Sequence, residues 1–490
     1  MIQNQKLLAY IISSFRGGIS DEASIGIKGS FKYGYGADIH KKKDTLSAQQ
    51  AMVRETSGDV VTDLIRFFVP CSRDGTTYCF GDGGTIYTRS GDGVWGARYA
   101  DANGSIKGGY AWTFHDGSTY VIWATDTSVS RKQIWDSNSG MNWANVELNW
   151  KVTLTSADWH TMDNACGNLM ICNGLYLAMI DYTANFTPEA LNIRPENITK
   201  CLEERDDYVI IGSTRPDNDE RSYIWSWITT ALNWVQKKKI PAPGVNALVY
   251  TELPFLQAGL NGQLFYSDFT NVVPVHQIPG GGHCNPGAVC EDENLALFGI
   301  SGTSLTCAYP GIWSYGRRNK NRPYVLNYEY RTASGAEGSN VTEIGAVANI
   351  NGEILASWKT IEGTNGERHY GVDKASPTTK ATALCEGLEF TAGLPHISKF
   401  FQHVKVTMEP LPTGCSIALK YKLDRGSWVT ARTANNNLAY FDTIDATEAI
   451  FTIGKPGRII EIGLTLTPSA NTTAEILSVT TYISPERNEY

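Results

Sequence analysis

The chain has 490 residues, of which 42% are hydrophobic, 19% are charged and 47 are glycine. The apolar fraction is sufficient for a full core, which argues against general disorder, and the many glycines and aromatic residues argue against a helix bundle. The net charge of −8 supplies no strong basic field, so the composition excludes specific recognition of nucleic acid through a basic surface.

The N-terminus has a short apolar run at 7–12 without a small-residue cleavage pattern, and Arg16 follows. We therefore expect no signal peptide. No stretch approaches 18 apolar residues, so we also expect no membrane span. The chain is expected to be synthesised, and first to fold, in a cytoplasm.

Residues 1–59 are predicted to form an extended N-terminal arm. The part from 15 to 50 is rich in glycine and polar residues and has little amphipathic periodicity, apart from a short helical turn predicted at 47–50. Spaced apolar and aromatic side chains indicate that the arm docks on another surface, with a disordered tail as the alternative. The candidate docking residues are Phe15, Ile19, Phe31 and Tyr35.

Two segments, residues 86–95 and 134–143, resemble each other. Each begins as a strand, passes through polar residues and glycine, and reaches a tryptophan. The second matches Asp-x-Asn-x-Gly-x-x-Trp, which resembles the Asp-box turn between the outer strands of a β-propeller blade. Polar side chains there bond the backbone of the turn, and the tryptophan fills space beside the next strand. The candidate turn residues are Asp136, Asn138, Gly140 and Trp143 in the second segment, and Ser90, Asp92 and Trp95 in the first.

A block of strand, turn and aromatic strand recurs about every 40 residues between 60 and 380. An apolar strand such as 208–212 fits an inner position, and an aromatic strand such as 222–227 follows it. The recurrence predicts a β-propeller of about seven blades at 60–380, although six or eight blades fit nearly as well.

The pattern of recurring strand and turn blocks ends near 378–395. About eight strands of alternating or apolar type follow, which predicts a C-terminal β-sandwich at 381–490. The whole chain is therefore predicted to be all-β.

Recognised catalytic motifs are missing, since the chain has no GxSxG, HExxH or GxxxxGK[ST]. None of the ten cysteines forms a CxxC, and we expect no metal site and no cofactor. We favour reduced, buried cysteines over hairpin disulfides. The pairs that such disulfides would join are Cys71/Cys79, Cys166/Cys172 and Cys284/Cys290.

A propeller glycoside hydrolase would need two carboxylates about 5–10 Å apart across the sugar. The acids of the propeller segment lie in polar clusters, so we interpret them as solvated turns and not as catalytic acids. They are Glu203, Glu204, Asp206, Asp207, Asp217, Asp219, Glu220, Glu291, Asp292 and Glu293.

Four tryptophans lie near the predicted blade edges and could stack on glycans, although blade packing is the expected role of most. They are Trp225, Trp227, Trp234 and Trp313.

The segment 15–20, Phe-Arg-Gly-Gly-Ile-Ser, together with 29–31 and 36–39, resembles the opening of tail proteins from tailed bacteriophages. Many of these begin with a Gly-Gly-Ile segment and a glycine-rich arm before a β-propeller, and the tail-nozzle proteins of short-tailed phages are similar in plan. The resemblance implies a structural protein of the virion tail, without catalytic residues, that assembles as a homo-oligomer with other tail proteins.

We therefore expect a non-enzymatic tail subunit, nozzle-like or peripheral, that acts in tail assembly. Passage of DNA is a further role that the resemblance implies; it would require acids on the inner wall of a ring, because phosphates adhere to Lys and Arg. The alternatives are an adhesin that binds a host surface glycan and, from a different class, a propeller glycoside hydrolase.

Overall fold

The computed structural model describes residues 8–485 apart from 21, 23–26, 41–43, 57–59, 135–142, 194–195, 216–221, 253, 304–309, 333–340 and 363–366. Within these residues the chain consists of β-strands, and the one helical element is a 3-10 turn at Trp143–Asn145. The prediction of an all-β chain is confirmed. In the described ranges no helix has the length and apolar character needed to cross a membrane.

Two compact units make up the chain. We call Val53–Ile312 with Thr332–Lys374 the repeat unit, and Met1–Met52, Trp313–Arg331 and Ala375–Tyr490 the terminal unit. The sequence predicts boundaries at 59 and 380 and a separate arm, whereas the compact units group the first segment of the chain with the last.

The first five strands are short. They are β1 (Leu8–Ile12), β2 (Phe31–Tyr35), β3 (Ala37–Asp38), β4 (Ser47–Ala48) and β5 (Gln50–Arg54). The helical turn predicted at 47–50 is wrong, because β4 pairs with β3 in antiparallel register and both of its residues are buried.

Five successive segments of the repeat unit each form a four-stranded antiparallel sheet whose strands pair in chain order. The first sheet contains β6 (Ile65–Cys71), β7 (Thr76–Gly81), β8 (Thr85–Arg89) and β9 (Trp95–Ala100). The second contains β10 (Gly108–Thr113), β11 (Thr119–Ala124), β12 (Ser128–Ile134) and β13 (Glu147–Val152). The third contains β14 (Met162–Ala165), β15 (Asn168–Asn173), β16 (Tyr176–Ile180) and β17 (Phe186–Asn192). The fourth contains β18 (Ile198–Arg205), β19 (Tyr208–Thr214), β20 (Ser222–Trp227) and β21 (Gln236–Ile240). The fifth contains β22 (Val245–Tyr250), β23 (Pro254–Ala258), β24 (Gln263–Ser267) and β25 (Val272–Gln277).

An eight-stranded sheet follows. Besides β5, it contains β26 (His283–Asp292), β27 (Leu295–Thr303), β28 (Gly311–Gly316), β29 (Val325–Tyr330), β30 (Val341–Ile350), β31 (Glu353–Glu362) and β32 (Glu367–Lys380). The order is β29-β28-β27-β30-β31-β32-β5, with β26 paired to β27.

The first strands of the five four-stranded sheets and two strands of the eight-stranded sheet, β26 and β30, pack in a cycle in the repeat unit, and we call all seven the first strands. They are β6, β10, β14, β18, β22, β26 and β30; each packs against the next, and β30 packs against β6. Apolar clusters fill the space between neighbouring sheets, and one of them joins Ile65 and Tyr87 of the first sheet to Leu355 and Val372. Four-stranded sheets arranged in this radial way are the architecture of a β-propeller.

The terminal unit contains the remaining strands. They are β33 (Ala383–Gly387), β34 (Lys399–Met408), β35 (Ser416–Leu423), β36 (Val429–Thr430), β37 (Arg432–Thr433), β38 (Glu448–Gly457), β39 (Ile460–Thr467) and β40 (Ile476–Pro485). They form two five-stranded sheets, β1-β40-β34-β38-β37 and β2-β33-β39-β35-β36. Buried residues alternate with half-buried residues along β35 and with exposed residues along β38, as they do in strands that bury one face. The N-terminal segment thus supplies one strand to each sheet.

Candidate functional site

Charged side chains on the first strands of the repeat unit provide the candidate site. Arg66 lies on β6, Asp163 on β14, Lys200 and Glu203 on β18, and Glu343 on β30. Each is half-buried, and each interacts electrostatically with groups on other elements, such as Arg66 with Glu343 and Asp163 with Glu203. Charges that are surrounded by protein but still reached by solvent are characteristic of a binding or catalytic site.

Local backbone irregularity helps to place Lys200. The register between β18 and β19 shifts between Thr199 and Cys201, which flank Lys200. Such a bulge redirects a side chain from the ordinary alternation of a strand. Both flanking residues are buried, whereas Lys200 is half-buried.

Asp163 and Glu203 form an acidic pair on adjacent first strands. Burial raises the pKa of both carboxyls, and the repulsion between them adds to the effect on Glu203. The Asn164 N–H donates to Asp163 Oδ1 at 2.8 Å, which partly offsets the rise. A pair of this kind retains a proton at a pH where isolated carboxyls have lost theirs.

Tyr110 of β10 lies beside this pair. Burial, reinforced by the charge of Asp163, raises the pKa of Tyr110 to about 12. The phenol therefore stays protonated and can donate a hydrogen bond to a carboxylate or a ligand.

Lys200 and Arg66 supply the positive charge of the site. Burial lowers the pKa of both groups. Lys200 Nζ donates to Asn246 Oδ1 of β22 at 2.9 Å, and the Asn246 amide donates in turn to Gln257 Oε1 at 2.9 Å. The Arg66 guanidinium lies 4.5 Å from the centre of the Trp159 ring. These contacts fix both cations on the frame of the repeat unit.

The arrangement provides a carboxyl pair for proton transfer, a phenolic donor and two cations. Among the described residues, no group of three His, Cys, Asp or Glu side chains is placed to hold a metal ion. The carboxyl pair, the phenol and the cations are suited to acid–base or electrostatic chemistry.

The interpretation of the acids as turn residues is wrong for four of them, because they lie in strands: Glu203 and Glu204 in β18, and Glu291 and Asp292 in β26. Glu203 lies within β18, one of the strands of the ring, and pairs with Ile210 of β19. Asp206 and Asp207 do lie in the exposed turn that follows, and Glu293 lies in an exposed turn at φ 48°. The acids Asp217, Asp219 and Glu220 fall outside the described residues.

Sequence reasoning missed Asp163, Lys200 and Arg66. A signal was available, because each is a charged residue at or near the start of the first strand of a block. A charge inside such a strand is unusual unless it faces a common interior.

The first Asp-box-like turn joins β8 and β9. Ser90 Oγ accepts a hydrogen bond from the Val94 N–H at 3.1 Å, as expected of a polar side chain that bonds its own turn. Asp92 is exposed. Trp95 is half-buried, and its Nε1 donates to Glu55 Oε2 at 3.0 Å.

Only the tryptophan of the second turn can be placed. Asp136, Asn138 and Gly140 lie outside the described residues. Trp143 stacks on Tyr99 of β9 with ring centres 5.6 Å apart and contributes to the cluster between the first two sheets.

The four candidate docking residues of the arm lie in the terminal unit. Phe15, Ile19 and Phe31 are buried, at 4%, 1% and 2% exposure. Tyr35 is half-buried, and the centre of its ring lies 4.4 Å from the guanidinium carbon of Arg331. These contacts are made within one chain.

Three of the four tryptophans considered for glycan stacking are buried, namely Trp225, Trp227 and Trp313. Trp234 is half-buried and packs edge-on against Trp225. All cysteines among the described residues are free, which agrees with the preference for reduced cysteines.

No protein-family model matches the chain, and the comparison with curated proteins also gives no match. Two solved structures similar in fold are the computationally designed Ika8 protein and the β-propeller domain of Cps50 (Swd1) from Myceliophteria thermophila. The first is 12% identical with a TM-score of 0.39 and covers 65% of this chain and 89% of its own. The second is 12% identical with a TM-score of 0.41 and covers 67% of this chain and 100% of its own. The propeller architecture rests on the sheet order, and neither neighbour bears on function.

Proposed function

We propose that this chain is a structural subunit of a bacteriophage tail that assembles as a homo-oligomer with other virion tail proteins. In this proposal the repeat unit is a seven-bladed β-propeller and the terminal unit is a β-sandwich. The cyclic packing of seven first strands supports the blade count. The two five-stranded sheets with alternating burial support the sandwich.

The observation that carries the proposal is the packing of Gly17, Gly18 and Ile19, the segment on which the resemblance to tail proteins rests. A Cβ atom on Gly17 would lie 2.2 Å from the backbone nitrogen of Ser30. Gly18 has φ +62°, and its Cβ position is 2.6 Å from the carbonyl oxygen of Leu326. The Ile19 N–H donates to the same carbonyl at 2.8 Å. The segment thus has a structural role that requires these glycines, which supports an architecture shared with tail proteins.

Mass spectrometry of purified phage particles tests the proposal. We expect the chain in purified particles, with antibody labelling at the tail, and a native mass that is a multiple of the subunit mass. Absence from purified particles would overturn it. In an assembled tail, the proposed passage of DNA additionally requires acidic residues along the lumen.

A glycoside hydrolase is a second candidate function, favoured by Asp163 and Glu203. A carboxyl that stays protonated beside a second carboxyl is what glycosidic bond cleavage uses as its general acid. Hydrolysis of a polysaccharide panel should then be lost in Asp163→Asn and in Glu203→Gln, while Asp206→Asn, in an exposed turn, retains it. A wild type without hydrolysis would exclude this candidate.

A further inference from the structure

A cleft of about 220 Å³ lies in the terminal unit. It is lined by the segment between β37 and β38 and by Glu448 and Ile450 of β38. This volume is below the range of roughly 300–1,000 Å³ that is typical of small-molecule sites, so the cleft suits a ligand smaller than most.

The backbone of this segment is fixed at several points. Phe441 exchanges two backbone hydrogen bonds with Ile417 of β35, at 2.8 and 2.9 Å. The Leu438 N–H donates to Thr433 Oγ1 at 2.9 Å, and the Asp445 N–H donates to the Leu411 carbonyl at 3.0 Å. A cleft whose backbone is already held in place loses less entropy when a ligand binds.

The polar side chains of the cleft are available to a ligand. Within the described residues, the side chains of Asn435, Asn436, Tyr440 and Asp442 make no hydrogen bond or ion pair. The amides offer both donors and acceptors, and the carboxylate offers acceptors. These groups match the hydroxyls of a sugar.

Apolar surface lies among these polar groups. Tyr440 is 46% exposed, Leu438 41% and Ile450 40%. An exposed phenol ring presents an apolar face and a polar tip, and it packs well against the C–H face of a pyranose. The lining thus combines the two kinds of contact that a sugar ring can make.

The charge of the cleft selects among sugars. The lining includes Asp442 and Glu448 but no Lys or Arg, and Glu448 pairs with Lys405 of β34. An anionic sugar would be repelled by Asp442 without a compensating cation in the lining. We propose that this cleft binds a neutral saccharide.

The site is independent of the proposed tail function and differs from the blade-edge tryptophans, three of which are buried. A purified protein is sufficient to test it, so failure of the tail proposal and failure of the saccharide site can be told apart.

Saturation-transfer NMR with glucose, galactose, mannose, rhamnose and N-acetylglucosamine tests the inference on the full chain. At least one sugar should receive saturation, most strongly at its ring C–H protons. Tyr440→Ala and Asp442→Asn should each weaken binding about tenfold or more. Tyr182→Ala, at a tyrosine of the repeat unit that is 57% exposed, should leave binding unchanged.

Asp442→Asn keeps the shape of the side chain, so its effect does not depend on a loss of folding, and unchanged thermal unfolding of each variant confirms this. Two results would overturn the inference. They are no saturation transfer to any of these sugars, and binding that survives both substitutions.

Discussion

Arg89 donates two hydrogen bonds to the carboxylate of Glu55, from Nε to Oε2 at 2.8 Å and from Nη2 to Oε1 at 2.7 Å. Arg89 ends β8 in the first sheet, whereas the Glu55 N–H donates to the carbonyl of Val372 in β32. Both side chains are buried, at 3% and 8% exposure. This bidentate pair therefore joins the first and last sheets of the repeat unit where the chain enters it.

Replacing Glu55 by Ala should lower the free energy of unfolding by about 3 kcal/mol, because a buried cation loses its main partner. Glu353, at 39% exposure, would remain as a weaker partner of Arg89. Urea unfolding followed by tryptophan fluorescence measures the change. The matched control is Glu147→Ala, which breaks a pair with Arg131 in which Glu147 is half-exposed and should cost less than about 1 kcal/mol. Equal losses in the two variants would contradict a closing role for Glu55.

Glu329 predicts an acid-dependent stability of the terminal unit. Burial alone would raise the pKa of Glu329, but the hydrogen bond and charge of His40, with hydrogen bonds such as that from Ser314, lower it to about 2. Since the ordinary value is 4.5, the carboxylate stabilises the folded state fully above pH 4.5. That stabilisation, of about 3 kcal/mol, is lost as the pH falls towards 2.

The measurement is the urea midpoint as a function of pH for the wild type and for Glu329→Gln. The wild type should lose stability below pH 4.5, and the variant should start lower and change less. Parallel curves would show that Glu329 does not carry the acid dependence.

Local pattern accounts for what the sequence predicts well. The apolar run at 208–212 lies in β19, and the aromatic run at 222–227 is β20. Both could be predicted because the burial of one or both faces of a strand determines which neighbouring residues are apolar. The terminal unit could not be predicted in this way. Leu8 pairs with Ile483, and a partner that distant in the chain leaves no local trace.

The candidate site could not be predicted from the sequence for the same reason. Glu203 and Asp163 are forty residues apart and meet only because their strands are neighbours in the ring. The sequence around Glu203 shows a run of acids, and such a run by itself is typical of a solvated turn. The bulge beside Lys200 also depends on pairing with β19 and has no sequence signature of its own.

The raised pKa values of Asp163 and Glu203 predict a pH dependence of stability opposite in sign to that predicted for Glu329. Above the ordinary pKa values of 3.8 and 4.5, the unfolded state releases protons that the folded state still holds. The free energy of unfolding therefore falls as the pH rises from these values towards the raised pKa values of the folded protein. Asp163→Asn and Glu203→Gln should each be more stable than the wild type at neutral pH, by about 1 kcal/mol.

Thermal unfolding across this range measures the effect. Asp206→Asn is the control, since the side chain of Asp206 is 82% exposed, and it should follow the wild-type curve. Variants that are less stable than the wild type at neutral pH would show that the ionised pair is favourable in the folded protein.

The Gly-Gly-Ile segment provides the last prediction. Gly18 and Gly393 both lie in the terminal unit with positive φ, at +62° and +72°, so alanine strains the backbone at either position. They differ in space, because nothing lies within 4 Å of a Cβ on Gly393, whereas a Cβ on Gly18 would meet the Leu326 carbonyl at 2.6 Å and the Val325 Cβ at 2.7 Å. Gly393→Ala should therefore lower the free energy of unfolding by about 1 kcal/mol, through backbone strain alone. Gly18→Ala should lower it by about 3 kcal/mol, since atoms of β29 must also move.

Urea unfolding gives both values, and hydrogen exchange at the Ile19 amide, which bonds the Leu326 carbonyl, reports the local change even in a partly destabilised variant. Exchange should accelerate in Gly18→Ala and stay as in the wild type in Gly393→Ala. Similar behaviour of the two variants would mean that Gly18 is not held against β29, and the proposed tail function would lose the observation that carries it.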